Sequence, residues 1–105
     1  MEVTKELKEF LIVTLGGRKD GHNVSGQIEI DIDNYYVITE TIDNELERGT
    51  TNFLLELKNV KYIDSSGFGA ILNCYQKIAS AGGIFKILNP SEHVKRMLNI
   101  LKIDM

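Results

Sequence analysis

The chain has 105 residues, and its 43% hydrophobic and 26% charged residues are ordinary for a globular protein. This length is enough for one hydrophobic core, so we predict a single domain over residues 1–105. The net charge of −3, without a clustered run of Lys and Arg, argues against direct binding to nucleic acid. No apolar stretch approaches a membrane span, the first residues are no signal peptide, and the lone Cys74 cannot form an internal disulfide, so we expect a cytoplasmic protein without a membrane partner.

The first half of the chain predicts two strands and a helix. Residues 10–15 form an apolar strand, and the charged segment before them has no clear pattern. Asp20-Gly21 is a strong hairpin signal. Residues 24–33 alternate in polarity, which is typical of a half-buried strand, here antiparallel to the first. The inner face of this second strand is expected to carry Val24, Gly26, Ile28, Ile30 and Ile32.

A helix is predicted to follow, capped by Asp33 or Asn34 and closed by Gly49. Its expected inner face consists of Tyr35, Ile38, Ile42 and Leu46. Residues 53–57 then form a nearly continuous apolar strand, which is typical of parallel strands that are buried on both faces of the sheet. This strand runs into residues 60–63 and ends at a second helix.

The second helix has apolar residues at helical spacing and ends at Gly82-Gly83. We expect its inner face to contain Phe68, Ile71, Leu72, Tyr75, Ile78 and Ala79. Residues 84–88 form the next strand. Residues 89–92 open a last helix, with Pro90 in its first turn. The apolar side of that helix is expected to contain Val94, Met97, Leu98 and Leu101.

These elements predict an α/β fold in the order β-β-α-β-α-β-α. About four strands would form one mixed sheet with at least three helices, and the later strands would lie parallel through right-handed crossovers. The sequence contains no internal repeat, low-complexity tract or linker.

The junction at residues 60–69 is the candidate site. Asp64, Ser65 and Ser66 offer side-chain oxygens to the unpaired N–H groups at the start of the second helix. Gly67 and Gly69 would keep the first turn open to a close approach. Two hydroxyls therefore lie where α/β folds tend to place their chemistry.

Several interpretations of this junction stay open on local sequence alone. It can be a helix cap and nothing more, or Ser65 can carry a phosphate, because a helix N-terminus favours an anion. A serine nucleophile lacks the Gly-x-Ser-x-Gly motif and an evident histidine base, and the longer glycine fingerprints of nucleotide loops are absent.

The pattern gives little support to a metal site. Glu29, Asp31 and Asp33 share one face of the predicted strand, but an acidic outer face is usually only solvated. His22, His93 and Cys74 are too scattered for zinc. We therefore expect no metal, no cofactor and no catalytic residue, and we interpret Cys74 as an incidental thiol away from the apolar side of its helix.

The junction also carries a family resemblance. Residues 62–72 contain Asp-Ser-Ser-Gly, a second glycine and an aliphatic pair after an apolar strand, and weaker matching segments occur at residues 24–29, 81–83 and 94–98. Together these segments resemble STAS domains, and among them the bacterial anti-sigma-factor antagonists. The resemblance implies a regulatory binding module and no enzyme activity in this chain.

The resemblance also implies roles for particular residues. Ser65 would be phosphorylated by a partner anti-sigma factor that is an ATP-dependent serine kinase, and a phosphatase would reverse this. The unphosphorylated chain would bind that anti-sigma factor and so release the sigma factor. The residues that would support the phosphosite are Asp64, Ser66, Gly67 and either Glu29 or Asp31.

The partner surface is expected at the start of the second helix and along its exposed side. Its predicted members are Phe68, Gly69, Asn73, Gln76 and Lys77. After Leu101 the Ser-Gly-Leu turn, final strand and final helix of the family are expected to be absent or altered. Two other classes stay open: a STAS scaffold or transporter accessory subunit in which Ser65 is only a cap, and an enzyme or nucleotide-binding domain. The oligomeric state is not predicted.

Overall fold

A computed structural model describes residues 1–100 and has the predicted mixed α/β architecture. Within these residues eight strands and three helices follow one another along the chain. The elements are β1 (Glu2–Leu7), β2 (Leu11–Gly16), β3 (Arg18–Asp20), β4 (Asn23–Ser25), β5 (Ile28–Ile30), α1 (Tyr36–Glu47), β6 (Asn52–Glu56), β7 (Val60–Ile63), α2 (Ser65–Ser80), β8 (Ile84–Leu88) and α3 (Glu92–Ile100).

The main sheet has four strands in the order β1-β2-β6-β8. Strands β2, β6 and β8 lie parallel, as predicted for the later strands, and β1 pairs antiparallel with β2. Two small sheets complete the fold: the hairpin β3–β4, which turns at Asp20-Gly21 as predicted, and the parallel pair β5–β7. The predicted fold class is therefore confirmed. Among the described residues, no helix is long and apolar enough to cross a membrane.

Strand β1 lies in the charged segment before residue 10, for which the sequence predicted no element. It is an edge strand, and most of its side chains are exposed. An edge strand is held by backbone hydrogen bonds to its neighbour. Its side chains therefore need not alternate between apolar and polar, which is the pattern that predicts strands. Val3 of β1 and the preceding Met1 are partly buried and pack against the core.

The long strand predicted over residues 24–33 is wrong as a single element. Gly26 has a φ of +83°, which only glycine adopts readily, and the chain changes partners there. Strand β4 pairs with β3 and β5 pairs in parallel with β7, whereas β2 pairs with β1 and β6, so the predicted antiparallel pairing with the first apolar strand is also wrong. As a result Ile32, predicted to point inward, lies in the turn before α1 and is 64% exposed.

The predicted cap of the first helix and the predicted place of Pro90 in the first turn of the last helix also differ from the structure. Helix α1 begins after Tyr35 without a side-chain cap, because the Asn34 carboxamide binds the turn itself: its Oδ1 accepts from the Asp31 N–H and its Nδ2 donates to the Glu29 carbonyl. Pro90 precedes α3, and the Ser91 hydroxyl accepts a hydrogen bond from the Val94 N–H. Gly49, with a φ of +94°, closes α1 as predicted.

Helix α2 faces the sheet through smaller side chains than predicted. Ile71 and Ile78 are buried, but Phe68, Leu72 and Tyr75 are only half-buried and Ala79 is exposed. The fully inward positions are Gly67, Ala70, Ile71, Cys74 and Ile78. Small residues let the helix backbone approach the sheet, and large apolar side chains then cover the flanks of the contact.

Cys74 is consequently a core residue, and its interpretation as an incidental thiol away from the apolar side was wrong. It lies one turn from both Ile71 and Ile78 and has no exposed surface. Val94 and Leu98 of α3 are buried as predicted, and Met97 is half-buried. Leu101 and the expected differences from the family beyond it lie outside the described residues.

Candidate functional site

The candidate site lies where β7 ends and α2 begins. The Asp64 N–H donates to the carbonyl of Ile30 at 3.0 Å, which ties the junction to β5. The Asp64 carboxylate accepts from the backbone N–H of Gly67 at 3.0 Å, and its carbonyl accepts from the Phe68 N–H at 2.9 Å. Asp64 is therefore the N-cap of α2, as its position in the sequence predicted.

Ser65 occupies the first position of α2 and its side chain is exposed. Ser66 follows and is half-buried. The N–H groups of both residues have no carbonyl one turn earlier in the helix, because the helix begins there. The hydroxyl of Ser65 thus lies beside unpaired donors and at the positive end of the helix dipole.

The two glycines of the junction have different roles. A Cβ on Gly67 would lie 2.5 Å from Ile30 Cγ2 and 2.8 Å from Ile63 Cγ2, so this glycine permits the helix to pack on β5 and β7. A Cβ on Gly69 would have no heavy atom within 4 Å, so this position opens to solvent. Only Gly67 is therefore required for a close approach, and the approaching group is the core of the protein itself.

Ser65 and Ser66 line an open depression of about 470 Å³ between α1 and α2. Helix α1 and the turn before it contribute one wall, and α2 contributes the floor and the other wall. The lining residues of the α1 side are Ile32, Tyr35, Thr39 and Asp43, and those of α2 are Ser65, Ser66, Gly69, Ala70, Asn73 and Lys77. We call this depression the α1–α2 groove.

Neither of the two predicted acidic neighbours lines the α1–α2 groove. Glu29 is exposed and Asp31 is half-buried, and the Asp31 carboxylate accepts a hydrogen bond from the Asp33 N–H within its own turn. Among the described residues, the carboxylate that lines the groove with Ser65 is that of Asp43. Asp43 was not predicted as a site residue, since only the packing of α1 against α2 brings it there.

Asp43 forms a salt bridge with Lys77 across the two helices, with 2.9 Å between Lys77 Nζ and Asp43 Oδ1. Both side chains are close to half exposed. Lys77 lies twelve residues after Ser65, which is about 18 Å along a helix, so this ion pair marks the far end of the groove. Lys77, predicted as an exposed residue of the partner surface, therefore forms an ion pair within the chain.

The other predicted partner residues are distributed along α2. Gly69, Asn73 and Gln76 are exposed, but only Gly69 and Asn73 line the groove. Phe68 is half-buried and packs against the core, so part of its ring serves the fold.

An aromatic pair outside the groove was also missed. The rings of Tyr62 and His93 stack with centroids 4.4 Å apart and planes 18° from parallel, and His93 Nε2 lies 3.5 Å from the carbonyl of Ile63. This contact links α3 to the end of β7. Within residues 1–100, no group of three or more His, Cys, Asp or Glu is arranged to hold a metal ion.

Comparison with known proteins assigns the chain to a family. The family model described as STAS domain matches residues 18–105. The chain belongs to the STAS domain family. It is 35% identical over 77 residues to the Thermotoga neapolitana homologue of TM1081, a match that covers 72% of this chain and 68% of the relative.

Two further STAS relatives have names that state a function. The anti-sigma F factor antagonist of Paenibacillus polymyxa is 33% identical over 90 residues, which cover 86% of this chain and 68% of the relative. The anti-sigma-B factor antagonist of Bacillus subtilis is 32% identical over 78 residues, with coverages of 74% and 69%. The chain is thus homologous to anti-sigma factor antagonists.

Solved STAS structures share the fold. The crystal structure of TM1081 from Thermotoga maritima matches with a TM-score of 0.74 and 27% identity, over 95% of this chain and 78% of that one. The Bacillus protein SpoIIAA matches at 20% identity and 83% coverage of its own chain, and its phosphorylated and unphosphorylated structures both give a TM-score of 0.71. At that identity the SpoIIAA match concerns the fold alone.

Proposed function

We propose that this chain is an anti-sigma factor antagonist controlled by phosphorylation of Ser65. In the unphosphorylated form it binds an anti-sigma factor that is also a serine kinase, and the bound anti-sigma factor releases its sigma factor. The observation that carries the proposal is the exposed hydroxyl of Ser65 at the first position of α2. A kinase can reach this oxygen without unfolding any part of the junction.

The phosphoryl transfer needs little from this chain except position. Ser65 Oγ attacks the terminal phosphorus of ATP, the bond from that phosphorus to the bridging oxygen breaks, and ADP leaves. The hydroxyl proton passes to a base of the kinase. The product phosphate lies beside the unpaired N–H groups of Ser65 and Ser66, where the helix terminus contributes about 0.3–1 kcal/mol to its stability.

The same phosphate weakens the complex. It adds about −1.5 to −2 charges at a surface that the partner contacts as a neutral hydroxyl. The transfer geometry requires the nucleotide phosphates of the kinase to face Ser65, so after transfer a phosphoserine dianion faces the diphosphate of ADP. A hundredfold loss of affinity corresponds to about 2.8 kcal/mol, which like-charge contacts of this kind readily supply.

We expect this effect to be local. The Asp64 N–H donates to the Ile30 carbonyl and the Asp64 carboxylate accepts from the Gly67 N–H, so the junction is fixed before any phosphate arrives. In amide spectra, phosphorylated and unphosphorylated chains should differ around residues 62–70, and changes spread over the main sheet would contradict local exclusion.

The decisive experiment combines kinase and binding assays. Wild type, Ser65→Ala, Ser65→Asp and the neighbouring control Ser66→Ala are incubated with each anti-sigma factor of the source bacterium and ATP, and intact mass is recorded. Wild type and Ser66→Ala should gain one phosphate and Ser65→Ala none. In binding assays Ser65→Ala should match wild type and Ser65→Asp should bind at least tenfold more weakly.

The alternative of an unphosphorylated scaffold predicts a different result. In that case no kinase adds phosphate to Ser65, and wild type, Ser65→Ala and Ser65→Asp bind their partner equally. The proposed partner acts where transcription occurs, so the proposal includes a cytoplasmic location and a phosphatase that returns phosphorylated Ser65 to the hydroxyl.

A further inference from the structure

The α1–α2 groove extends well beyond the phosphorylation site. Its floor consists of small residues, Gly69 and Ala70, and the open space above Gly69 leaves the floor accessible. Thr39 and Asp43 of α1 and Tyr35, the residue just before it, are spaced four residues apart and therefore line one wall. With about 470 Å³, the groove has room for a few side chains from another protein.

Ile32 gives this groove an exposed apolar wall. It stands in the turn before α1, is 64% exposed, and lines the groove together with Ser65. Single exposed aliphatic residues are common on protein surfaces. This one, however, adjoins the half-buried ring of Tyr35 along an open groove, so a ligand side chain placed there would remove Ile32 from water.

The segment that carries Ile32 and continues into α1 is acidic; of its carboxylates only that of Asp43 lines the groove itself, and the exposed Asp33 and Glu40 lie beside it. The segment of residues 27–47 contains no Lys, Arg or His, and it contains the carboxylates of Glu29, Asp31, Asp33, Glu40, Asp43, Glu45 and Glu47. Among the described residues, salt bridges involve only two of these seven: Asp43 with Lys77, and Glu45 with Lys5 and Arg48. Tyr36 is 53% exposed and Glu40 is also exposed. Each directly follows a groove-lining residue, Tyr35 or Thr39.

We infer that the α1–α2 groove and the outer face of α1 together bind a basic segment of the partner that carries an apolar side chain. The inference rests on the proposed function, because the occupant is a part of the anti-sigma factor. Its apolar side chain packs between Ile32 and Tyr35, and its Lys or Arg residues face Asp33 and Glu40. The interface then has two zones, with Ser65 facing nucleotide phosphates and α1 facing cations.

Charge favours a basic protein segment as the occupant of the groove over nucleic acid, a membrane surface or a second copy of the chain. Nucleic acid and anionic membrane surfaces are repelled by the exposed carboxylates of Asp33 and Glu40 beside the groove. A second copy of the chain packed symmetrically through α1 would bring the two acidic faces opposite each other, which is unfavourable. A basic protein segment satisfies both the apolar wall and the uncompensated carboxylates.

The first test uses the anti-sigma factor that binds wild type in the kinase assay. Ile32→Ser should weaken binding at least tenfold, and the matched control Ile84→Ser, a residue 46% exposed on the edge strand β8, should not. Glu40→Lys should slow association severalfold at low salt, with a smaller effect at high salt. Its control, Glu9→Lys in the turn between β1 and β2, should leave the rate unchanged.

The second test does not depend on the proposed function. Amide spectra of the chain are recorded during titration with a short peptide of Leu and Arg and, separately, with the same peptide bearing Glu in place of Arg. The basic peptide should shift the signals of Ile32, Thr39, Gly69 and Asn73, and the acidic peptide should shift none of them. Shifts elsewhere, or equal shifts with both peptides, overturn the inference.

The outcomes separate the two proposals. If an anti-sigma factor binds and responds to Ser65→Asp but not to Ile32→Ser and Glu40→Lys, the inference is wrong and the proposed function stands. If no anti-sigma factor binds but the basic peptide occupies the groove, the proposed function fails and the surface stands. If wild type dimerises in sedimentation and Ile32→Ser is monomeric, the occupant is a second copy and the inference is overturned.

Discussion

The carboxylate of Asp64 accepts the backbone N–H of Gly67 at 3.0 Å, while the N–H of Asp64 itself donates to Ile30 at the same distance. One residue therefore ends β7, starts α2 and joins both to β5. Ser65 follows directly, so the direction of its hydroxyl depends on this double attachment.

Removing the cap should loosen the start of α2. For Asp64→Ala we expect a loss of about 1 kcal/mol in the free energy of unfolding, because one N–H of the first turn becomes unpaired. Asp64→Asn should retain most of the stability, since asparagine caps helices about as well as aspartate. Urea denaturation measures both variants, and equal losses would show that the charge of Asp64, and not the hydrogen bond, stabilises the junction.

The two glycines of the junction should respond oppositely to alanine. Gly67→Ala places a methyl group against buried Ile30 and Ile63, and overpacking of this kind costs about 1–3 kcal/mol of stability. Gly69→Ala meets open space in an exposed helix and should stabilise the chain by up to about 1 kcal/mol. Thermal unfolding compares the pair, and a Gly67→Ala variant as stable as wild type would contradict the close packing of α2.

The local features of the site were predictable from sequence because they depend on neighbouring residues. The Asp64 cap, the end of the apolar strand and the position of Ser65 all lie within a few residues of one another. The turn at Asp20-Gly21 and the closing Gly49 are equally local. Each follows from backbone chemistry that one short segment determines.

The features that sequence missed depend on partners distant in the chain. Asp43 enters the groove only because α1 packs beside α2, and Lys77 is paired only for the same reason. Strand β1 exists through its backbone pairing with β2. Cys74 was placed wrongly because the spacing of large apolar residues does not reveal that glycine, alanine and cysteine bring this helix close to the sheet.

Cys74 should be unreactive in the folded chain. Burial raises the pKa of its thiol to about 12, the nearby charge of Asp43 acts in the same direction, and Lys77 opposes it. In the unfolded chain the thiol has an ordinary pKa of about 8.5, so stability is unaffected below that pH and falls as the pH rises above it.

Thiol labelling as a function of urea tests this behaviour. The labelled fraction at neutral pH should follow the unfolding transition, and the denatured chain supplies the fully labelled control. Stoichiometric labelling of the chain without denaturant would show that Cys74 reaches solvent and that its placement in the core is wrong.

The buried carboxylate of Glu45 should make stability depend on pH. The hydrogen bond from Lys5, 2.9 Å away, lowers the pKa of Glu45 most; burial opposes this, and Thr50 and Arg48 reinforce the lowering. Because the pKa is lower in the folded chain, the unfolded chain binds more protons in acid. The contribution of Glu45 is therefore complete above its ordinary pKa of about 4.3 and is lost as the pH falls through the folded value.

Lys5→Met removes the strongest of these contacts while it keeps the apolar stem. We expect a loss of about 1–2 kcal/mol in the free energy of unfolding at neutral pH, at the low end for a charged hydrogen bond because Lys5 is partly solvated. In acid the variant and wild type should converge, since protonated Glu45 no longer needs the ammonium. Lys8→Met is the control: its partner Glu6 is 3.7 Å away and both side chains are about two-thirds exposed, so stability should not change. Parallel pH curves for wild type and Lys5→Met would mean that Lys5 does not set the pKa of Glu45, and that β1 is held to α1 by other contacts.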